Sequence, residues 1–220
     1  LEGVATLGEC SALAAEASAF AASRRAATAH SRVDIQHPVH AKAVREPVTE
    51  MLDASGQRLC DALLLRALER ANTALPPLVP ALLGTVCVGA DHIIRNPALT
   101  FTKGEPAINV YVEGGLFTAH EDNQALTVLL ALSDAGAFTG GGTAFWPAGR
   151  GDEGGRATQN AGDPSLKLVP SAGDAILFAG SVRHSGLAVA SGERVVLVAS
   201  LSPAPMLQRL IGRVIPGLFT

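Results

Sequence analysis

The 220-residue sequence predicts a mainly β protein carrying helices at its N-terminus, an α+β chain built as a helix-buttressed sandwich or jelly roll. Three observations predict it. Apolar residues recur at helical spacing before Pro76-Pro77. After Gly84 the texture changes to short apolar or alternating runs broken by Gly, Pro, Asn and Asp. Helices first and many strands after is the order expected of helices packed on an antiparallel sheet system.

Leu7 to Ala29 is Ala-rich and reads as the first helix. Asp53 or Ser55 can cap a second, running to about Leu75. Leu59, Leu63, Ala67 and Ala71 repeat every four residues on one face, and Leu64, Leu68 and Leu75 widen it. Pro76-Pro77 ends this helix, because proline lacks the amide proton a helix needs. Strands are expected near 84–89, 98–102, 107–112, 116–120, 125–132, 142–146, 166–169, 174–178 and 193–201. Pro205 to Ile215 places Met206, Leu207, Leu210, Ile211 and Val214 at helical spacing, as a terminal helix docked on the sheet would. The chain reads as one domain over 1–220. Residues 1–80 form helical support, 84–202 a β core and 203–220 a C-terminal segment.

Composition narrows the function classes. A hydrophobic fraction of 48% is that of a globular protein. A net charge of -3 gives no basic footprint, so no nucleic-acid partner is expected. No run reaches the roughly 18–20 apolar residues of a membrane helix, so no membrane partner is expected either. Cys10, Cys60 and Cys87 are few and far apart, which favours a reducing intracellular compartment. A secretory lumen stays open, since the sequence starts at Leu1 and a leader could have been removed. Oligomeric state is not legible.

The chemistry sits in His120-Glu121-Asp122, read with His184 and Arg194. A His and an Asp two apart on a strand would point the same way. A distant His can then complete a face of three donors. Two His and one carboxylate with open positions is the ligand set of non-haem Fe(II) oxygenases. His37-Pro38-Val39-His40 looks like a ligand pair but has no acidic or cysteine company. Pro147 to Ser165 is a long polar connection rich in glycine, either a lid near the metal or a mobile insertion. Its Gly149-Arg150-Gly151-Asp152-Glu153-Gly154 matches a phosphate-cradle pattern. No helix pattern follows, so the match is set aside. Trp146 stands where that connection begins, and Gly140-Gly141-Gly142 reads as a tight turn or bulge with close backbone approach.

An ordered series surrounds these residues. Ile108-Asn109-Val110-Tyr111-Val112-Glu113-Gly114-Gly115 precedes His120-x-Asp122. Phe138-Thr139-Gly140-Gly141-Gly142-Thr143-Ala144-Phe145, Gly173-Asp174-Ala175-Ile176-Leu177-Phe178 and His184-Ser185-Gly186-Leu187, ending at Gly192-x-Arg194, follow it. Over roughly Leu99 to Ser202 the series resembles the Fe(II)/2-oxoglutarate dioxygenases of the prolyl 4-hydroxylase and lysyl hydroxylase superfamily. The resemblance implies a double-stranded β-helix (jelly-roll) core. It implies His120, Asp122 and His184 as Fe(II) ligands and Arg194 as the cation for the distal carboxylate of 2-oxoglutarate. It implies Tyr111 as a hydrogen-bonding partner of the keto acid, with Thr127 and Thr143 as further donors. The implied reaction uses O2 and converts 2-oxoglutarate to succinate and CO2 while hydroxylating a peptide or small-molecule substrate. Peptidyl Pro or Lys is favoured, with ascorbate in support. A free metabolite, or a cupin-like protein that binds without turnover, are the rivals. Ala131 stands where some prolyl hydroxylases carry a co-substrate Tyr, which is a departure from the pattern.

Overall fold

A computed structural model describes residues 1–28, 42–84, 91–147 and 163–205. The strand expected near 84–89, the body of the connection after Pro147, Cys87, His30, the His37–His40 pair and the C-terminal helix lie outside these residues, or almost entirely so.

Helix α1 spans Leu7–Thr28. Thr6 and Glu9 start it by exchanging hydrogen bonds. The Thr6 amide donates to Glu9 Oε2 at 2.7 Å, and the Glu9 amide donates to Thr6 Oγ1 at 3.2 Å. Its buried face is Cys10, Leu13, Ala17 and Ala21, at steps of three and four. A short turn, α2 (Val48–Met51), follows strand β1 (Ala43–Pro47). Helix α3 spans Ala54–Ala74, capped by Asp53, whose Oδ1 accepts from the Ser55 and Gly56 amides. Leu63, Leu64, Ala67, Leu68 and Ala71 are buried as the four-residue repeat predicts. Leu75 does not widen that face. It leaves helical geometry as the C-cap and is 63% exposed. A further short helix, α4, covers Leu78–Leu83.

The remaining strands are β2 (Leu99–Phe101), β3 (Ala107–Tyr111), β4 (Phe117–His120), β5 (Leu126–Ala131), β6 (Phe138–Gly140), β7 (Thr143–Phe145), β8 (Leu166–Leu168), β9 (Ala175–Phe178), β10 (His184–Gly186), β11 (Val189–Gly192) and β12 (Arg194–Pro203). Among the described residues the strands form three antiparallel assemblies. The large sheet runs β1-β3-β12-β5-β9, with β2 on the far end of β12. A smaller sheet runs β4-β10-β7-β8, and β11 pairs β6 as a ribbon. The architecture is a jelly roll backed by helices. Strands β1, β6, β10 and β11 are not among the expected ones, since each is three to five residues long with no clear alternation.

Period-two alternation sorts the large sheet into two environments. Ile108 and Val110 of β3, Val195 and Leu197 of β12, and Val128 and Leu130 of β5 join the helices in the main apolar core. The residues between them point the other way. Tyr111, Leu129, Val196 and Val198 form a second cluster with Phe138 and Val189, and this face lines the interior of the roll. Both faces are covered, so these strands read as unbroken apolar runs rather than alternating ones.

Candidate active site

The register of the small sheet brings two histidines together. His184 of β10 lies directly opposite His120 of β4, and their ring centroids are 4.3 Å apart. Each ring is oriented by its own backbone. His120 Nδ1 lies 2.8 Å from the Thr118 carbonyl oxygen, and His184 Nδ1 lies 3.0 Å from that of Val182. A carbonyl only accepts, so Nδ1 carries the proton in both rings and Nε2 keeps a free lone pair. Both Nε2 atoms face Asp122, at 3.3 Å from Oδ1 and 3.7 Å from Oδ2.

Asp122 gets there differently from the expectation. Only His120 belongs to a strand; Asp122 follows the end of β4 in irregular backbone. Its amide and that of Asn123 both donate to the Gly180 carbonyl, at 2.8 and 3.1 Å. Asn123 takes a left-handed φ of 55°, which turns the chain and aims the carboxylate back at the histidines. Gly180 can come this close because it has no Cβ, which would stand 2.3 Å from the Gln124 carbonyl oxygen.

Electrostatics favour metal-ready protonation states. Burial pushes the Asp122 carboxyl up, but the neighbouring His120, the Thr127 hydrogen bond and His184 outweigh it and hold the group below its ordinary value. Burial pulls His184 below its ordinary value, against the Val182 carbonyl and Asp122, so its imidazole is neutral at neutral pH. The three donor atoms lie within 4.8 Å of one another. Two imidazoles and a carboxylate at that spacing fit one divalent transition-metal ion and leave its other positions open.

The same cavity continues from these donors across the inner face of the large sheet to Arg194. Its empty volume is about 390 Å³, including its solvent-open mouth. Arg194 opens β12 directly opposite Tyr111 on β3, and its guanidinium carbon lies 5.4 Å from the centre of the Tyr111 ring. Arg194 Nη2 donates to Thr143 Oγ1 at 3.0 Å. The residue is only 3% exposed, and burial pulls its guanidinium below the usual range. A guanidinium remains charged even so. Among the described residues it has no acidic partner. A buried cation in a cavity wall, without an acidic partner among the described residues, has the chemistry to hold an anion.

The other expected residues fall as follows. Tyr111 is buried in the cavity wall, and burial raises its phenol above the ordinary value. Thr143 lines the cavity as the acceptor for Arg194. Thr127 lines it too, with its hydroxyl donated to Asp122 Oδ2 at 2.5 Å. The three glycines at 140–142 all have left-handed φ, and a Cβ on Gly141 would stand 3.3 Å from Arg194 Cδ. The turn therefore makes room for the arginine stem. Trp146 is half-buried and does not line the cavity.

No family model matches this sequence, and no curated protein does. Solved structures do match. HygX from Streptomyces hygroscopicus, with nickel, 2-oxoglutarate and hygromycin B bound, aligns over 93% of this chain and 82% of its own at 15% identity, with a TM-score of 0.58. The viral collagen prolyl hydroxylase of Paramecium Bursaria Chlorella virus-1, a 2-oxoglutarate complex, aligns over 93% and 94% at 15% identity, with a TM-score of 0.51. A Pseudomonas putida prolyl-4-hydroxylase aligns over 93% and 91% at 17% identity, with a TM-score of 0.50. The chain has the fold of the Fe(II)/2-oxoglutarate oxygenases.

Within this oxygenase fold, the cavity holds residues that the motif reading does not single out. Phe117 packs edge-on against His120 and Phe178 edge-on against His184, with centroids 4.7 and 4.6 Å apart. Leu129 and Val198 add apolar wall. Arg45 and Asn109 supply polar wall. Asn109 carries a legible signal, a polar residue inside the apolar run Ile108 to Val112 and in phase with Tyr111. Arg45 carries none, because its strand is short and flanked by charged residues.

Proposed function

We propose that this chain is an Fe(II)- and 2-oxoglutarate-dependent hydroxylase. One observation carries the reading. A two-His, one-carboxylate donor set and a buried guanidinium that has no acidic partner among the described residues line the same cavity. 2-Oxoglutarate is a dianion with a chelating end and a carboxylate at the far end, and the two features match the two ends. His120, Asp122 and His184 would hold the metal. Arg194 would take the distal carboxylate through parallel hydrogen bonds. Fe(II), when bound, supplies the O2 chemistry that couples conversion of 2-oxoglutarate to succinate and CO2 with substrate hydroxylation. The protein's part is to orient both ligands and exclude water with Phe117, Phe178, Leu129 and Val198.

We favour an amino-acid side chain as substrate, and prolyl over lysyl. Among the described residues the only carboxylate lining the cavity is Asp122, a metal donor. A lysyl ammonium would therefore enter without a partner, which is costly in an apolar wall. A small metabolite is the second reading. It is supported by the likeness to HygX, whose structure holds hygromycin B. The deciding experiment supplies Fe(II), 2-oxoglutarate and ascorbate. Succinate formation checks the oxygenase reading. A gain of one oxygen atom in Pro-containing peptides, against Lys peptides and free amino acids, checks the substrate. Absence of succinate with any of them would leave a cupin-like binding protein.

A further inference from the structure

One wall of the cavity carries a chain of hydrogen-bonded side chains in which donation runs outward from Arg45, to Glu105 on one side and through Asn109 to Tyr111 on the other. Glu105 stands at one end. Its carboxyl group is only 2% exposed, pairs with Arg45 Nη2 and accepts from the Ser200 amide. Arg45 Nη1 then donates to Asn109 Oδ1 at 3.3 Å. Asn109 Nδ2 donates to the Tyr111 hydroxyl oxygen at 3.0 Å. The register explains the alignment. Arg45 lies opposite Asn109 across β1 and β3, and Asn109 and Tyr111 are two apart on the inner face.

Chemistry fixes the polarity of each link. A guanidinium has donors and no acceptor, so the Asn109 carbonyl must face Arg45. The amide NH2 must then face Tyr111, and it can only donate. The Tyr111 oxygen is held as an acceptor, so its own proton has to go elsewhere. Among the described residues no acceptor for that proton is found. Tyr111 itself lines the cavity. A Cβ on Gly186, another lining residue, would stand 3.3 Å from the Tyr111 hydroxyl oxygen. A buried donor left unmade costs free energy that a ligand acceptor would recover.

We propose that Asn109, set by Arg45 and Glu105, is a positioning residue that turns the Tyr111 proton into the cavity as a donor to the keto acid. The inference rests on the 2-oxoglutarate reading of the site and adds the residues that determine the direction of one of its hydrogen bonds. It also assigns Arg45 a role other than binding an anion, since its charge is already met by Glu105.

The test uses Asn109→Asp, which keeps size and strengthens the pairing with Arg45. A carboxylate, however, accepts from the Tyr111 hydroxyl instead of donating to it, which reverses the last link. Affinity for 2-oxoglutarate is measured by calorimetry on Ni(II)-loaded protein, where no turnover intervenes. Four proteins are compared: wild type, Asn109→Asp, Tyr111→Phe and the double variant. Tyr111→Phe is expected to weaken binding about three- to tenfold, the range of one neutral hydrogen bond. Asn109→Asp is expected to cost at least as much in the wild-type background and clearly less in the Tyr111→Phe background. The second background reports the added negative charge alone, so the difference between the two is the polarity effect. Equal losses in both backgrounds, or an unchanged affinity, would overturn the proposal while leaving the oxygenase reading intact. No 2-oxoglutarate binding by the wild type would remove both.

Discussion

Thr127 Oγ1 donates to Asp122 Oδ2 at 2.5 Å, from a strand that follows the metal-donor turn by only a few residues. Thr127 is fully buried on the inner face of β5. Its hydroxyl occupies one carboxylate oxygen and so leaves Oδ1, which faces His120 Nε2, to the metal. Sequence resemblance implies Thr127 as a donor to the keto acid; the geometry directs its proton to the metal ligand.

Thr127→Val keeps the shape and removes the hydroxyl. Metal affinity should fall by about tenfold or more, as is usual when the partner orienting a metal ligand is lost. Thr127→Ser should recover most of it. Ni(II) titration of the three proteins checks this, and an unchanged affinity in Thr127→Val would show that the turn at Asn123 orients Asp122 unaided.

Arg194 should behave oppositely toward ligand and fold. Arg194→Met removes one partner of a buried charge pair in the keto-acid complex, an effect of about 2–5 kcal/mol on binding. In the ligand-free protein the same change removes a buried cation with no acidic partner among the described residues, and buried ions are often replaced by apolar groups without loss or with gain. Keto-acid affinity should therefore collapse while the unliganded Tm holds or rises. Arg194→Lys should restore binding only in part, because an ammonium cannot form the two-pronged contact. Calorimetry and thermal melts on the same samples read both effects, and a large fall in unliganded Tm would mean that Arg194 is held by the fold itself.

The Gly140–Gly142 turn is expected to act through Arg194. Gly141→Ala places a Cβ at a left-handed φ of 64°, at a cost of about 1–2 kcal/mol. That Cβ would also stand 2.9 Å from the Phe138 ring and 3.3 Å from Arg194 Cδ. Stability should drop modestly and 2-oxoglutarate affinity should drop with it. A loss of stability with full affinity would show that the arginine stem tolerates the crowding.

How much of this was legible in the sequence follows from the range of each interaction. The α3 cap and its buried face are local, written in Asp53 and a four-residue repeat, and both were readable. The inner and outer faces of β3, β5 and β12 were not, since burial on both sides erases alternation. Chain order points to His120, Asp122 and His184, but strand alternation does not bring the first two together, since β4 ends at His120. They converge through a left-handed turn at Asn123 and a contact with Gly180, which no strand periodicity encodes. Arg45 and Glu105 are not legible in the sequence, because Arg45 meets Asn109 and Glu105 across 64 and 60 residues of chain. A charged residue in a five-residue strand gives no sign of which side of the sheet it will face.

Acid should loosen the helical support before it affects much else, through Glu9. Arg66 hydrogen-bonds both carboxylate oxygens at 3.0 Å, and the Thr6 amide adds a third bond. These contacts lower the Glu9 carboxyl from 4.5 to about 2, with Arg66 the largest cause. A carboxyl whose folded value is depressed contributes stability that is fully present above its unfolded value and lost as pH falls toward the folded one. The window is therefore from about 4.5 down to about 2. The Glu9 and Arg66 side chains are 24% and 37% exposed, so solvent screening reduces the effect to about 1–2 kcal/mol. Glu9→Gln should lower stability at pH 6 by that amount and flatten the acid limb of the stability curve across the window. Urea melts of both proteins at pH 6, 4 and 3 measure it. If the two curves run parallel from pH 6 to 3, the α1 cap does not depend on the Glu9 charge.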